Sequence, residues 1–172
     1  MDRMIYLLRH GIASPAPAGM SDSDRRLTAE GRRRMRRVAL GLQRLGVAPD
    51  IVLSSPLRRA LETAAIVAPV LGSDLAIETY VPLAPGHEPT EVLRGLRPYR
   101  KARRLLLVGH QPGLGQLLSH LLTGSSALLA ADLRKGGAAA VAVGALPPQT
   151  AGELHWLLTA KQLRAIAAKR GG

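Results

Sequence analysis

The sequence contains no cysteine, which excludes disulfide bonds, thiolate zinc sites and cysteine nucleophiles. A chain without cysteine suits a reducing compartment, and we expect the cytoplasm. Aromatic residues are also scarce, with no phenylalanine and one tryptophan, so few side chains could stack on single-stranded bases. The apolar run at residues 4–8 is too short for a signal-peptide core, and no run approaches the roughly 20 residues that span a bilayer. We therefore expect a soluble chain that does not cross a membrane.

Acidic residues are few, with 12 Asp and Glu against 24 Lys and Arg, and the formal net charge is +12. The basic residues concentrate at 25–37, with seven arginines, and at 94–104, with five arginines and a lysine. Such a field attracts anions, whether phosphorylated proteins, phosphorylated metabolites or nucleic acid. Most of these arginines are interpreted as solvated helix faces. Because no cluster of acidic residues indicates a magnesium site, we predict neither a metal nor a cofactor.

The length of 172 residues and an apolar share of 47% predict a single domain over residues 1–172. Apolar runs and helical periodicity alternate along the chain. Strands are predicted at 4–8, 51–53, 75–79, 105–108, 138–143 and 154–158, with helices at about 28–46, after 56, from about 90, at 112–124 and at 160–170. This alternation favours an α/β fold with a mostly parallel sheet covered on both faces, where ligands bind beyond the carboxyl ends of the strands.

Three polar motifs follow predicted strands. The first, Arg9-His10-Gly11, directly follows a buried strand, so its ionisable pair must emerge at the edge of the sheet. The second, Ser55-Pro56-Leu57-Arg58-Arg59-Ala60, opens a helix, where exposed backbone N–H groups and a guanidinium both suit a phosphoryl group. The third, Val108-Gly109-His110, combines a glycine that permits close backbone approach with a histidine that can donate to an anion.

Together and in this order, the three motifs resemble the histidine phosphatase superfamily. In that family an Arg-His-Gly, a Ser-x-x-x-Arg-Ala segment and a later histidine build one phosphate pocket. The resemblance implies that His10 is the nucleophile that becomes phosphorylated, and that Arg9, Arg59 and His110 hold the phosphoryl oxygens. Arg59 takes this role because it directly precedes Ala60, as in the family's pattern.

Within the superfamily, residues 3–160 look most like the compact SixA-type phosphohistidine phosphatases. The segment 21–28, which leads into a helix, is similar to theirs, and Arg25 would be a further phosphate contact. The resemblance implies a three-layer α/β/α sandwich without the large inserted cap of other branches. A neutral imidazole can also attack phosphorus and leave again, and arginines can neutralise the transferring group without a metal.

One departure concerns the acid that ester-cleaving members usually place after the third strand. Residues 81–88 offer no clear counterpart, although Glu88 is a possible acid from this loop. A phosphohistidine substrate needs such an acid less, because imidazole leaves more easily than an alkoxide, so its absence favours a phosphoramidate. The remaining histidines, His87, His120 and His155, have no partner pattern and are interpreted as surface or satisfied polar groups.

The leading hypothesis is a phosphatase that acts on phosphohistidine in a signalling or phosphotransfer protein. A second is a general phosphatase of small phosphorylated metabolites, with Glu88 or water supplying the proton. A third, from another class, is a basic nucleic-acid-binding protein, which the arginine runs favour and the scarcity of aromatic residues weakens. The expected partner is thus a phosphorylated protein or a small phosphorylated substrate, rather than a membrane or a nucleic acid, and the oligomeric state stays open.

Overall fold

A computed structural model describes residues 2–168 of the chain and contains six strands and five α-helices in that range. The strands are β1 Arg3–Arg9, β2 Ile51–Ser54, β3 Ile77–Thr79, β4 Arg104–Gly109, β5 Ala138–Val143 and β6 Glu153–Leu158. The helices are α1 Ala29–Arg44, α2 Arg58–Leu71, α3 Pro89–Arg94, α4 Gly113–Thr123 and α5 Ala160–Ala168. Short 3-10 turns lie at Asp22–Asp24, Val81–Leu83 and Arg97–Tyr99.

The six strands form one sheet in the order β3-β2-β4-β1-β5-β6. Neighbours among β3, β2, β4 and β1 are parallel, whereas β5 runs antiparallel to both β1 and β6. The register pairs Arg9 with Gly109 and Ser54 with Val108, so β1, β2 and β4 end at the same height. The three predicted motifs therefore leave the sheet at one edge.

Both faces of the sheet are covered, which makes the predicted three-layer α/β/α sandwich correct. In β1, Ile5 and Leu7 pack with residues of α3 and α4, while Tyr6 and Leu8 face residues of α1, α2 and α5. Side chains alternate between the faces of a strand, and here each face meets a helical layer. This burial on both sides explains why β1 has a continuous apolar run instead of an alternating pattern.

The helix boundaries of α1 and α4 follow the predicted signals. Thr28 caps α1, and its Oγ1 accepts a hydrogen bond from the N–H of Gly31 at 2.9 Å. Gly46, one residue beyond the cap of α1, has φ +75°, and Gly124 ends α4 with φ +76°. Both glycines adopt the left-handed backbone that other residues rarely tolerate.

Two predicted elements differ at their ends. The predicted strand 75–79 is wrong at its start: the structure forms a strand only from Ile77, because Leu75 donates to the Gly72 carbonyl in the turn after α2. All three residues of this edge strand are exposed, so burial does not extend it. The predicted last helix begins at Ala160 as expected, and residues 169–170 of that prediction lie outside the described residues.

Candidate active site

The two motif histidines meet at the shared edge of the sheet. His10 directly follows β1, His110 follows β4, and their ring centres lie 5.0 Å apart. Each residue is about 95% covered, at 6% and 5% exposure. Buried histidines this close cannot both be charged at low cost. The site is therefore suited to two neutral imidazoles facing an anion.

His10 is held in one orientation by two neighbours. Its Nδ1 lies 2.7 Å from the Gly11 carbonyl, and the Nε of Arg59 donates to its Nε2 at 3.3 Å. Since a carbonyl can only accept, Nδ1 carries the proton and Nε2 has the lone pair. Burial, with the nearby Arg59 and Arg9 charges, lowers the pKa of His10 to about 4 against the opposing Gly11 hydrogen bond. At neutral pH His10 therefore presents an unprotonated nitrogen.

Arg59 lies in the first turn of α2 and is buried beside His10. Its Nη1 donates to the backbone carbonyl of Asp22 at 2.8 Å, and its Nη2 donates to Asp22 Oδ2 at 3.0 Å. The neighbouring Arg58 instead has a half-exposed side chain, 3.7 Å from Glu62 Oε1. Helical geometry turns successive residues about 100° apart. The structure thus brings Arg59, and not Arg58, to His10.

Arg9, the last residue of β1, is anchored from the opposite side. Its Nη1 donates to the Leu133 carbonyl at 2.8 Å and lies 3.8 Å from Asp132 Oδ1. Its buried Nε has no hydrogen-bond partner among residues 2–168. A guanidinium with donors to spare can still bind an anion.

His110 pairs with the second motif through Ser55. Its Nε2 lies 2.7 Å from Ser55 Oγ, and that oxygen accepts the N–H of Leu57 at 3.3 Å. The hydroxyl proton is then free for Nε2, which leaves the imidazole proton on Nδ1. Burial, reinforced by His10 and Arg59, lowers the pKa of His110 to about 3. Nδ1 is buried without a partner within the described chain, so it is a donor for a bound anion.

Arg25 joins the site through Asp22, not by touching His10. Its Nε donates to the Ser14 carbonyl at 2.7 Å, and its Nη1 donates to Asp22 Oδ1 at 3.0 Å. Asp22 therefore bridges Arg25 and Arg59, which together lower the pKa of its carboxyl, Arg25 first. Asp22 was not among the residues predicted from the sequence. The only signal was its position in the segment 21–28, from which Arg25 alone was selected.

Glu88 lies apart from the histidines, at the exposed N-cap of α3. It forms part of the wall of a cavity of about 210 Å³ that His110 also lines. The structure thus places this possible acid near the rim of the site. His87, which sequence analysis interpreted as a surface or satisfied polar residue, lines the same cavity and bonds Glu91.

Thr63 and the motif glycine Gly11 support the pocket, and Thr63 was not predicted from the sequence. The Oγ1 of buried Thr63 accepts the N–H of Gly11 at 3.1 Å and donates to the Arg59 carbonyl at 2.7 Å. It therefore ties the loop after β1 to α2. A Cβ at Gly11 would lie 2.7 Å from Met35 Cγ, so the motif glycine lets α1 pack against this loop. No local pattern marks Thr63, because its Gly11 partner lies 52 positions away, and its bond to the Arg59 carbonyl four residues back is one that any helical threonine can make.

Metal ligands do not gather at this edge. Across residues 2–168, no three His, Asp or Glu side chains are grouped as a metal site would require. The cationic groups of the pocket are instead arginines, two of them held by Asp22.

Known proteins are similar to this chain in sequence and in fold. The family model described as Histidine phosphatase superfamily (branch 1) matches residues 5–81, which run from within β1 to just after β3. The chain is 35% identical over 164 residues to an uncharacterized protein of Picosynechococcus sp. (strain ATCC 27264 / PCC 7002 / PR-6), covering 92% of this chain and 98% of that one. It is also similar over 93% of its length to the solved protein histidine phosphatase SixA complexed with tungstate, at 26% identity, TM-score 0.81 and 99% coverage of that chain.

The chain belongs to the histidine phosphatase superfamily.

The superfamily fold also appears in more distant solved structures. One is an alpha-ribazole phosphatase from Shigella flexneri, with 19% identity, TM-score 0.70, and coverage of 91% of this chain and 96% of that one. Another is a phosphoserine phosphatase from Entamoeba histolytica in complex with 3-phosphoglyceric acid, with 16% identity, TM-score 0.64, and coverage of 94% and 99%. At these identities the likeness concerns the fold. The predicted family and α/β fold are confirmed, with a SixA-like match over nearly the whole chain.

As a member of this superfamily with a SixA-like structure, the protein is a phosphatase that hydrolyses phosphorylated substrates. Between residues 2 and 168, no helix is long and apolar enough to cross a membrane.

Proposed function

We propose that this protein is a metal-independent phosphatase that removes phosphate from phosphohistidine in a signalling or phosphotransfer protein. The observation that carries the proposal is the buried, unprotonated Nε2 of His10, 3.3 Å from the Arg59 guanidinium. A nucleophile beside a fixed cation is the arrangement that phosphoryl transfer requires. The lack of cysteine supports a reducing compartment, and we propose the cytoplasm.

The first step transfers the phosphoryl group to His10. Its Nε2 lone pair attacks phosphorus in line, the bond to the leaving group breaks, and that group departs with the electron pair. Arg9, Arg59 and the Nδ1–H of His110 stabilise the negative oxygens, and Arg25 adds charge beside Asp22. Water then attacks the phosphohistidine, which releases inorganic phosphate and restores His10.

The absence of an acid bonded to the histidines in the described chain favours a phosphoramidate substrate, whose leaving group departs easily. An imidazole departing from phosphorus needs less proton assistance than an alkoxide, and the pocket holds no carboxylic acid bonded to either histidine among residues 2–168. The similarity to the SixA structure, which contains tungstate, supports an oxyanion pocket in a fold of this size.

A second candidate is a general phosphatase of small phosphorylated metabolites. The cavity of about 210 Å³ beside His110, with Glu88 in its wall, favours this candidate because it could hold a small organic group. Glu88 or water would then supply the proton to an ester oxygen.

The test is a screen of the pure protein in chelator against a phosphohistidine protein, phosphoserine, an aryl phosphate and a sugar phosphate. We expect full activity in chelator and the highest kcat/KM on phosphohistidine. Loss of activity in chelator would contradict the metal-independent mechanism. A much higher kcat/KM on an ester would replace the first function with the second.

A further inference from the structure

The cavity beside His110 adjoins the proposed phosphate pocket. It lies between the loop before α3 and the start of α4, and its polar wall includes His87 and Glu88. His110 belongs to both regions, since it lines the cavity and its ring centre lies 5.0 Å from that of His10. A substrate group that passes His110 can therefore enter the cavity.

The direction of phosphoryl transfer suggests what would enter. In-line displacement puts the leaving group on the side of phosphorus away from the attacking Nε2 of His10. The cavity is lined by His110 and not by His10, so it lies on the side of the proposed phosphate pocket away from the nucleophile. A side chain in this cavity wall is therefore placed on the leaving-group side of the proposed phosphate pocket.

His87 carries a carboxylate partner in that wall. Its Nδ1 lies 3.0 Å from Glu91 Oε2, and the same oxygen accepts the backbone N–H of Glu88 at 3.1 Å. The Glu88 N–H first, and then His87, lower the pKa of the Glu91 carboxyl. An ionised carboxylate can only accept, so Nδ1 of His87 must donate to it. Nε2 is then the ring nitrogen of His87 left for a bound molecule.

We propose that His87, oriented by Glu91, is the general acid that protonates the leaving oxygen when the substrate is a phosphate ester. This inference rests on the proposed phosphohistidine mechanism and adds ester hydrolysis to it. It assigns the proton to a histidine, in place of the Glu88 carboxyl. Exposed carboxylates are ionised at neutral pH and have no proton to give, whereas imidazolium titrates near neutrality.

Two acidic residues lie close to His87. Glu91 bonds it directly, Glu88 lies next to it in the cavity wall, and His110 faces the same cavity. Burial holds the pKa of His110 near 3, so that ring adds no opposing positive charge at neutral pH. The charged neighbours of His87 are thus the Glu88 and Glu91 carboxylates, with the Arg94 guanidinium near enough to Glu91 to lower the pKa of that carboxyl as well.

The proton balance is complete within these residues. His10 Nε2 forms the bond to phosphorus, the ester P–O bond breaks, and the His87 Nε2 proton moves to the departing oxygen to give the free alcohol. Neutral His87 then takes a proton from the water that attacks phospho-His10. Inorganic phosphate, free His10 and protonated His87 result.

The test measures kcat/KM on two substrates with different leaving groups for the variants His87→Gln, Glu91→Gln and Glu88→Gln. The matched control is His155→Gln, which changes an exposed histidine of β6. The probes are phosphoserine, which has a poor alkoxide leaving group, and 4-nitrophenyl phosphate, which has a good one. We expect His87→Gln to lose about 100-fold in kcat/KM on phosphoserine and less than about 3-fold on 4-nitrophenyl phosphate, with the alkaline limb of the phosphoserine profile abolished. Glu91→Gln should lower kcat/KM on phosphoserine by a smaller factor and leave 4-nitrophenyl phosphate almost unchanged, because it removes the carboxylate that orients His87.

Equal losses of His87→Gln on both substrates, or an unchanged alkaline limb, would overturn the inference. A larger loss of kcat/KM on phosphoserine than on 4-nitrophenyl phosphate in Glu88→Gln, exceeding that of His87→Gln, would assign the acid to Glu88 and also overturn it. A wild-type protein that does not cleave phosphoserine would overturn it as well. None of these results touches the proposed phosphohistidine activity. That activity fails separately if the wild-type protein does not dephosphorylate a phosphohistidine protein.

Discussion

Arginine occurs in two environments in this protein: buried in the proposed phosphate pocket and exposed on the outer face of α1. Arg59 is 5% exposed and makes three hydrogen bonds, to His10 and Asp22, whereas Arg33, Arg36 and Arg37 lie in the solvent. A buried guanidinium held by several acceptors is already oriented when a phosphoryl group arrives, and a solvated one must lose rotamer freedom first. The comparison teaches that fixed orientation, and not the number of charges, marks a site.

The largest expected effect is on the nucleophile itself. His10→Ala removes the atom proposed to carry the phosphoryl group, so kcat/KM should fall by roughly 10⁴-fold or more, as for other covalent nucleophiles. Circular dichroism and thermal unfolding should show an intact fold, because His10 lies at a strand end and outside the apolar clusters. A variant with more than a small residual rate would refute covalent catalysis by His10.

The next effect separates neighbours on α2. Arg59→Ala removes the guanidinium beside His10 and should lower kcat/KM by about 100-fold or more. Arg58→Ala removes a half-exposed charge near Glu62 and should cost less than about 3-fold, shrinking as salt is added. Steady-state kinetics at two salt concentrations checks both. Equal damage from the two substitutions would break the comparison between oriented and solvated arginines.

The two buried histidines predict a pH dependence of stability. Both pKa values are lowered in the folded protein, to about 4 for His10 and about 3 for His110. The unfolded chain therefore binds more protons, and stability is full above about pH 6.5 and falls as the pH drops toward 4. The slope is at most about 1.4 kcal/mol per pH unit for each histidine.

Urea unfolding between pH 7 and 5 measures this slope in the wild type and in the double variant His10→Asn/His110→Asn. The double variant should lose much of the decline, because neither asparagine titrates. An identical decline in both proteins would show that other groups cause it.

The smallest effect concerns buried hydroxyls near and far from the pocket. Thr63→Val leaves the Gly11 N–H unsatisfied, which should cost about 1–3 kcal/mol of stability and about 10-fold in kcat/KM through misplaced Arg59. Ser119→Ala removes a buried hydroxyl on α4 that bonds Ser125 and Leu129 in the loop after this helix, so it should lower stability similarly but leave kcat/KM unchanged. Chemical unfolding and kinetics measure the two effects separately. Equal kinetic losses would mean that Thr63 acts through stability alone.

The fold could be predicted because its signals are local. Apolar runs followed by helical periodicity indicated an α/β sheet, Thr28 and Gly124 indicated helix ends, and the motifs indicated where the strands end. The family match and the SixA-like fold confirm the predicted α/β fold. The short edge strand β3 begins two residues later than predicted, since a turn after α2 occupies its first residues.

The pocket could be predicted only where a motif marked it. His10, Arg59 and His110 are brought together as expected, and their catalytic roles stay predictions. Asp22 and Thr63 could not be selected, because their importance comes from partners distant in sequence: Asp22 bonds Arg59, 37 positions away, and Thr63 bonds Gly11, 52 positions away. The sequence indicated Glu88 as the possible acid. The structure places His87, bonded to the Glu91 carboxylate, in the same cavity wall.

The most direct test of the account is to trap the phosphorylated enzyme. The wild-type protein is mixed with excess phosphohistidine protein, quenched within milliseconds without acid, digested and sequenced by mass spectrometry. The account predicts phosphate on His10, formed and lost at rates that match turnover, and none in His10→Ala. Phosphate on another residue, or turnover that proceeds with no phosphate on His10 at any quench time, would contradict it.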